Sequence, residues 1–139
     1  MSADGSKVVL LSLELASDSL PPGKTIVVGP TDTVETITVK EGVEYSVIVT
    51  LRVAEDVSGL RYIQAVKRAG TTVDKKEAAL GSFDAAPGTQ PYVRKLDPDE
   101  SPSGLQARSG FYEVRSRILD DGNGVYADFT WRYKLAKNW

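Results

Sequence analysis

The sequence of 139 residues has the length of one domain, and its contents of 41% hydrophobic and 26% charged residues are those of a globular protein. It contains no cysteine and no histidine, which excludes disulfides, thiolate nucleophiles, Ser-His-Asp triads and the usual zinc-ligand sets. A net charge of −2 predicts no nucleic acid partner. No apolar run reaches the roughly 18–20 residues of a membrane-spanning helix, and no signal-peptide pattern is visible, so we expect a cytoplasmic protein.

The first predicted strand follows a short polar segment. Residues 1–7 are expected to be a flexible lead-in to a domain that covers residues 8–139. Apolar residues at alternate positions, Leu11, Leu13 and Leu15, have the period of a strand with one buried face.

Further alternating runs follow along the chain. They occupy residues 36–40, 44–53, 112–118 and 125–135. β-Branched and aromatic residues dominate these runs, and glycine- and proline-rich turns separate them. Short strands at about ten-residue spacing predict an all-β protein folded as an antiparallel β-sandwich.

The segment between the runs is less regular. Residues 74–80 are the one candidate for a turn of helix, which Gly81 would end. Basic residues before and after the Ala69-Gly70 turn predict a solvated hairpin face or a charged sheet edge; they are Lys67, Arg68, Lys75 and Lys76. Basic residues near the C-terminus predict a wet sheet face with cross-strand pairs to Glu113 and Asp128; they are Arg115, Arg117, Arg132 and Lys134.

Two acidic groups are candidates for chemistry. One is Asp120-Asp121, and the other contains Asp97, Asp99 and Glu100. A glycosidase needs carboxylates that face each other across a cleft, whereas adjacent loop carboxylates are usually only solvated. The loop after Asp120 also lacks the spaced acidic residues and the final Glu of a calcium-binding EF-hand. We therefore expect no enzyme activity, no metal site and no cofactor.

The inward apolar residues leave two interpretations open. They could form a closed core, in which case the sandwich would serve only protein–protein interaction. Alternatively, the two sheets could separate enough to hold a long apolar ligand between them. Periodicity is the same in both cases and does not decide between them.

Three motifs resemble the Rho GDP-dissociation inhibitor family. They are KEGVEY at 40–45, VSGLRYIQ at 57–64 and LGSF at 80–83, and the similarity covers residues 8–139. The resemblance implies an immunoglobulin-like β-sandwich that is not an enzyme. It also implies a carrier that takes the geranylgeranyl group of a prenylated Rho-family small GTPase between its sheets. Such a carrier sequesters the GTPase and touches the membrane only transiently, during extraction or delivery.

The family also has an N-terminal arm that folds onto the switch regions of the GTPase. Seven residues precede the first predicted strand of this chain. We therefore expect the arm to be missing here.

The resemblance implies particular site residues. Positions that match the lipid pocket of the family are Leu13, Leu15, Ile37, Tyr45, Val114 and Trp131. Ile37 is smaller than the Phe usual there, Gln106 puts a polar group near the rim where Leu is usual, and the loop before Val57 is shortened.

Two acidic pairs also match the family. Asp99 and Glu100 match a pair near the pocket mouth that can meet the basic stretch before a prenylated cysteine. Asp120 and Asp121 match a second acidic group, which is also expected to bind the partner.

Overall fold

The computed structural model describes residues 7–31, 33–85 and 91–139, so most of the predicted lead-in, residues 1–6, lies outside the described residues. Within these ranges the chain forms strands and a single short helix, which confirms the predicted all-β fold. The elements are β1 (Val8–Ala16), β2 (Ile26–Gly29), β3 (Thr36–Lys40), β4 (Glu44–Val53), β5 (Val57–Arg68), β6 (Thr71–Phe83), β7 (Tyr92–Lys95), β8 (Asp99–Glu100), α1 (Leu105–Arg108), β9 (Tyr112–Leu119) and β10 (Val125–Ala136).

The strands form two sheets that pack face to face. The first has the order β2-β1-β4-β7, and β8 pairs with the beginning of β4. The second has the order β3-β10-β9-β5-β6. All pairs are antiparallel except β3 with β10, which is parallel, so the predicted antiparallel sandwich contains one parallel pair at this edge. The connection from β3 to β10 spans most of the chain, and such long connections permit a parallel pair.

The core is built from the inward faces that alternation predicts. In β10 the buried side chains are Phe129, Trp131, Tyr133 and Leu135. On the wet face of the same sheet, Arg115 pairs with Asp128 at 2.6 Å and Arg132 with Glu113 at 3.4 Å, as predicted.

Leu11 does not share the inward face of β1, which corrects the prediction. Its side chain is 37% exposed, whereas Leu10 and Leu13 are buried. The register between β1 and β4 shifts between Leu10 and Ser12, and this irregularity reverses the alternation.

The predicted turn of helix at residues 74–80 is also wrong. These residues lie within the thirteen-residue strand β6, which pairs with β5 along a long hairpin. Pairing with a neighbouring strand outweighs the local helix propensity, which is only a weak preference. Of the basic residues near the hairpin tip, Arg68 was predicted to be solvated, but it contacts the protein instead. Its guanidinium donates to the backbone carbonyls of Gln106 and Ser109 and so fixes α1.

The edge strand β2 packs closely against β10. A Cβ atom at Gly29 would lie 2.2 Å from Cε2 of the Phe129 ring. Only glycine lets the two strands approach this closely without displacing the ring.

Candidate functional site

A small cavity lies between the two sheets, and we call it the inner cavity. Its volume is about 10 Å³, and it is lined by Leu15, Val39, Tyr45, Ser101, Trp131 and Tyr133. Strands β1 and β4 of one sheet and β3 and β10 of the other contribute the walls. A volume of this size has room for roughly one water molecule. A larger ligand can therefore enter only if side chains or sheets move apart.

Ser101 closes one side of the inner cavity. Its hydroxyl donates to the Lys40 carbonyl at 2.7 Å and accepts from the Val43 amide at 3.0 Å. The Ser101 side chain thereby ties the segment after β8 to the turn between β3 and β4. These bonds satisfy backbone groups beside an otherwise apolar cavity.

Aromatic rings form the opposite wall. Trp131 lies 5.9 Å from Tyr133, which stacks on Tyr112 at 5.0 Å between ring centroids. Burial raises the pKa of Tyr133, so its ring stays neutral throughout the physiological range. The wall is uncharged and presents mainly carbon to the cavity.

A second space, which we call the side cleft, opens between the edge strands β2 and β3. It has a volume of about 200 Å³ and is lined by residues 27–31, Glu35, Ile37 and Trp131. Trp131 therefore borders both the side cleft and the inner cavity.

A third space is an open groove of about 800 Å³, formed by residues 16–24, 43–46 and 95–98. It contains charged side chains of both signs, including Asp18, Glu44, Asp97 and Lys95. Tyr45 borders both the groove and the inner cavity. Burial, and secondarily the charges of Asp99 and Asp74, raises the pKa of Tyr45 to about 12. Its neutral ring thus separates a polar groove from an apolar interior.

Acidic residues cluster where the groove meets β8, and we call this part of the molecule the groove end. Glu44 of β4 lies directly opposite Glu100 of β8, a like-charge pair on adjacent strands. Asp99 forms a salt bridge with Lys76 at 3.1 Å. Within the described ranges, neither Glu44 nor Glu100 forms a salt bridge.

The other predicted acidic pair lies far from the groove. Asp120 and Asp121 belong to the loop between β9 and β10, which we call the hairpin end. The eight residues of β9 span about 25 Å and separate this loop from Tyr112. Tyr112 stacks on Tyr133, which lines the inner cavity beside the groove. Asp99-Glu100 and Asp120-Asp121 therefore cannot act at one mouth.

Asp120 has a structural role in its own loop. Its carboxylate accepts from the amides of Gly122 and Gly124, each at 2.9 Å, and from the Tyr126 hydroxyl at 2.6 Å. These hydrogen bonds, led by that from Tyr126, lower the pKa of Asp120.

The predicted lipid-pocket residues divide into two groups. Leu15, Tyr45 and Trp131 meet around the inner cavity, and Ile37 lies beside Trp131 in the side cleft. Two others, Leu13 and Val114, are fully buried in the core but do not line either space.

Three residues that line the inner cavity, Val39, Ser101 and Tyr133, were not among the predicted site residues. Gln106 also lies elsewhere than expected. Val39 and Tyr133 carried a usable signal, because alternation puts both on an inward face. Ser101 carried none, since it lies in an irregular segment. Gln106 is exposed on α1 and lines none of the spaces described above.

The described ranges contain neither a metal-binding cluster nor a membrane-spanning helix. No three acidic side chains there lie close enough together to hold a metal ion. No described helix is both long and apolar enough to cross a bilayer.

The fold and the site define a class: β-sandwich proteins with an apolar interior beside a polar groove. The C-terminal domain of wzt has a similar fold, with a TM-score of 0.56 at 10% identity over 96% of this chain and 76% of that one. The sequence profile described as RHO protein GDP dissociation inhibitor matches residues 2–138. The chain therefore belongs to the Rho GDP-dissociation inhibitor family, which confirms the resemblance.

Individual relatives support this membership. The Rho GDP-dissociation inhibitor of Schizosaccharomyces pombe is 39% identical over 144 residues, which are 99% of this chain and 68% of the relative. Rho GDP-dissociation inhibitor 1 of Homo sapiens is 33% identical over 145 residues, which are 100% of this chain and 70% of the relative. Rho GDP-dissociation inhibitor 1 of Arabidopsis thaliana is 37% identical over 103 residues, which are 73% of this chain and 42% of the relative.

Proposed function

We propose that this protein binds the geranylgeranyl group of a Rho-family small GTPase between its two sheets and so keeps the GTPase away from membranes. The observation that carries the proposal is the convergence of Leu15, Tyr45 and Trp131 on one apolar cavity beside an open groove. Family membership gives the partner class, and the chemistry of the cavity suits an uncharged lipid.

The groove and the inner cavity suggest where the two parts of the ligand, the isoprenoid and the polypeptide before it, bind. The isoprenoid passes Tyr45 into the interior, because that ring separates the groove from the cavity. The polypeptide that precedes the prenylated cysteine lies in the groove. Basic residues in this polypeptide relieve the repulsion between Glu44 and Glu100, which face each other across paired strands.

Lipid burial alone is not enough for extraction from a membrane. A chain of about twenty carbons gains on the order of 15 kcal/mol when it leaves water, at about 0.8 kcal/mol per methylene group. The bilayer interior offers nearly the same gain. Net extraction therefore depends on contacts with the polypeptide part of the GTPase, to which the groove end contributes. The membrane is touched only during extraction or delivery.

Two further expectations belong to this proposal. Binding and release of a lipid require no covalent step, so the protein acts as a regulator and not as an enzyme. Exchange of a prenylated protein between membranes takes place in the cytoplasm, where we propose that the chain resides.

A second candidate function is that of a closed sandwich that only contacts other proteins. The observation that favours it is the volume of the inner cavity, about 10 Å³, which no isoprenoid can enter unless the walls move. The two candidates differ in whether the interior opens.

A titration with a prenylated peptide separates them. A basic peptide with a geranylgeranylated cysteine is added while tryptophan fluorescence is recorded, and the same peptide without the lipid is the matched control. We expect saturable binding of the prenylated peptide that is at least about a hundredfold tighter than that of the control, since 1.4 kcal/mol corresponds to a factor of ten. Equal affinities for the two peptides would refute lipid uptake and favour the closed sandwich.

A further inference from the structure

A row of hydrogen bonds leads from Trp131 through the core. The Trp131 indole Nε1–H donates to Ser116 Oγ at 3.0 Å, and Ser116 Oγ lies 2.8 Å from the Tyr62 hydroxyl. That hydroxyl donates to Gln64 Oε1 at 2.8 Å. An indole N–H can only donate and an amide oxygen can only accept. The direction of the row is therefore set: Trp131 donates to Ser116, Ser116 to Tyr62, and Tyr62 to Gln64.

All members of this row are shielded from water. Their exposed fractions are 0% for Tyr62, 1% for Ser116, 4% for Trp131 and 6% for Gln64. A buried donor that loses its acceptor cannot replace it with solvent, so the broken state is disfavoured. The hydroxyl of Ser116 thus fixes the orientation of the Trp131 indole more strictly than packing alone would.

The orientation of this indole matters because of where it lies. Among the described residues, Trp131 alone borders both the inner cavity and the side cleft. On β3, Ile37 faces the side cleft and Val39 faces the inner cavity, so the two spaces follow each other along the strand. The indole is the wall between them.

We propose that Ser116 is a positioning residue that holds the Trp131 indole as a partition, and that this partition limits the length of isoprenoid that the interior accepts. The inference rests on the proposed function, because it concerns the depth of the same site. With the indole held, a chain that enters beside Tyr45 ends at Trp131. With the indole released, the far end of a longer chain continues into the side cleft.

Lipids of different length test the partition. One peptide is prepared with a farnesyl group of about fifteen carbons and with a geranylgeranyl group of about twenty, and both dissociation constants are measured. The quantity compared is the ratio of the farnesyl to the geranylgeranyl constant, in which general losses of stability cancel. We expect Ser116→Ala to raise this ratio at least about fourfold, the gain for one more buried methylene group.

Ser116→Thr is the matched control, since threonine keeps the hydroxyl. We expect the ratio of the two dissociation constants in Ser116→Thr to equal that of the wild type. An NMR spectrum of ¹⁵N-labelled indole groups reports the hydrogen bond itself. Trp139, whose indole donates to Ser19 Oγ, is the internal reference, and Trp139→Phe assigns the signals. Ser116→Ala should shift the Trp131 signal and leave the Trp139 signal unchanged.

A measurement on the wild-type protein does not depend on whether the variants fold. The Trp131 indole proton should exchange slowly with solvent both before and after the farnesylated peptide binds. Fast exchange in the farnesyl complex would overturn the partition.

The remaining outcomes separate the two proposals. Absence of binding of either lipid to the wild type overturns the proposed function and the partition with it. Tight lipid binding with an unchanged ratio in folded Ser116→Ala overturns the partition alone. An unshifted Trp131 signal in Ser116→Ala overturns the positioning role of Ser116.

Discussion

The groove end and the hairpin end of the sandwich both present adjacent acidic residues, but these carboxylates have different surroundings. At the hairpin end, Asp120 accepts from two backbone amides and a tyrosine hydroxyl, so its charge is satisfied within its own loop. At the groove end, Glu44 and Glu100 oppose each other beside an open groove. At the hairpin end Asp120 thus serves the structure of its own loop, whereas at the groove end Asp99 pairs with Lys76 and Glu100 forms no salt bridge with another described residue.

The same contrast applies to the apolar parts of the two ends. Next to the groove end, Tyr45 borders the groove and, together with Trp131, lines the inner cavity. At the hairpin end, Gly59 packs so closely that a Cβ atom there would lie 2.7 Å from Asp121 Cβ. One end is therefore closely packed, while the other leaves a small cavity between the sheets.

The largest effect is expected from Trp131→Ala. Removal of the indole should weaken binding of a geranylgeranylated peptide by about 2 kcal/mol or more, a factor of roughly thirty, because a large aromatic contact with the lipid is lost. Trp139→Ala removes a tryptophan that does not line the inner cavity and serves as the control. Circular dichroism of both variants must accompany the titration. Unchanged affinity in folded Trp131→Ala would remove Trp131 from the lipid site.

The second prediction concerns alkaline stability. Burial raises the pKa of Tyr45 from 10.0 to about 12, so the folded protein keeps a proton that the unfolded chain loses. The Tyr45 contribution is therefore fully present below pH 10 and is lost as the pH rises from about 10 to 12. We expect Tyr45→Phe to flatten this fall in the free energy of unfolding by up to about 2 kcal/mol. Urea unfolding at several pH values provides the measurement, and an equally steep fall in the variant would contradict it.

Tyr126 is the counterpart of Tyr45 at the hairpin end. Its pKa is also raised to about 12, by desolvation and by its hydrogen bond to Asp120. Asp120→Asn should therefore lower the pKa of Tyr126 and leave that of Tyr45 unchanged. A spectrophotometric titration of tyrosine in this variant, compared with Tyr126→Phe, distinguishes the two groups. A shift of Tyr45 would show that the two ends are electrostatically coupled.

Asp120→Asn should also reduce stability without reducing lipid affinity. We expect a loss of about 1 kcal/mol at neutral pH, because a charged acceptor of loop hydrogen bonds is replaced by a neutral one. The lowered pKa of Asp120 means that its contribution is present above the carboxyl pKa of the unfolded chain and is lost as the pH falls through the lower, folded-state value. Loss of affinity for prenylated peptide in this variant would place the hairpin end in the binding site.

The smallest effect is expected at the groove end. Asp99→Ser with Glu100→Ser should abolish a preference for basic over neutral prenylated peptides that is worth less than about 1 kcal/mol. Salt should have the same effect, since the Debye length falls from about 10 Å at 0.1 M to about 3 Å at 1 M. The matched variant is Asp120→Ser with Asp121→Ser, which should keep the preference. Because Asp99 already pairs with Lys76, we expect Glu100 to contribute most of the effect.

Much of the fold followed from local sequence. The alternation in β4, β9 and β10 was sufficient because each strand has one buried face. The register shift beside Leu11 and the strand at residues 74–80 could not be predicted in this way. The first depends on pairing with β4, which is distant in sequence, and the second depends on hairpin pairing with β5, which local helix propensity does not reflect.

The site was less accessible to local reasoning. Leu15, Tyr45 and Trp131 followed from the resemblance, whereas alternation alone could not separate them from ordinary core residues. Ser101 and the pair of Lys76 with Asp99 join segments that lie far apart in the chain, so no nearby residue indicates them. The separation of the two acidic pairs likewise requires knowledge of which loops meet at one end.

Intermolecular nuclear Overhauser effects show directly whether the isoprenoid lies between the sheets. Protein with ¹³C-labelled Leu and Val methyl groups is saturated with a geranylgeranylated peptide, and contacts to the methyl groups of the lipid are recorded. We predict contacts to Leu15 and Val39, which line the inner cavity, together with contacts to the Trp131 ring. Contacts confined to exposed residues such as Leu105 and Val93, with none to Leu15 or Val39, would contradict the account.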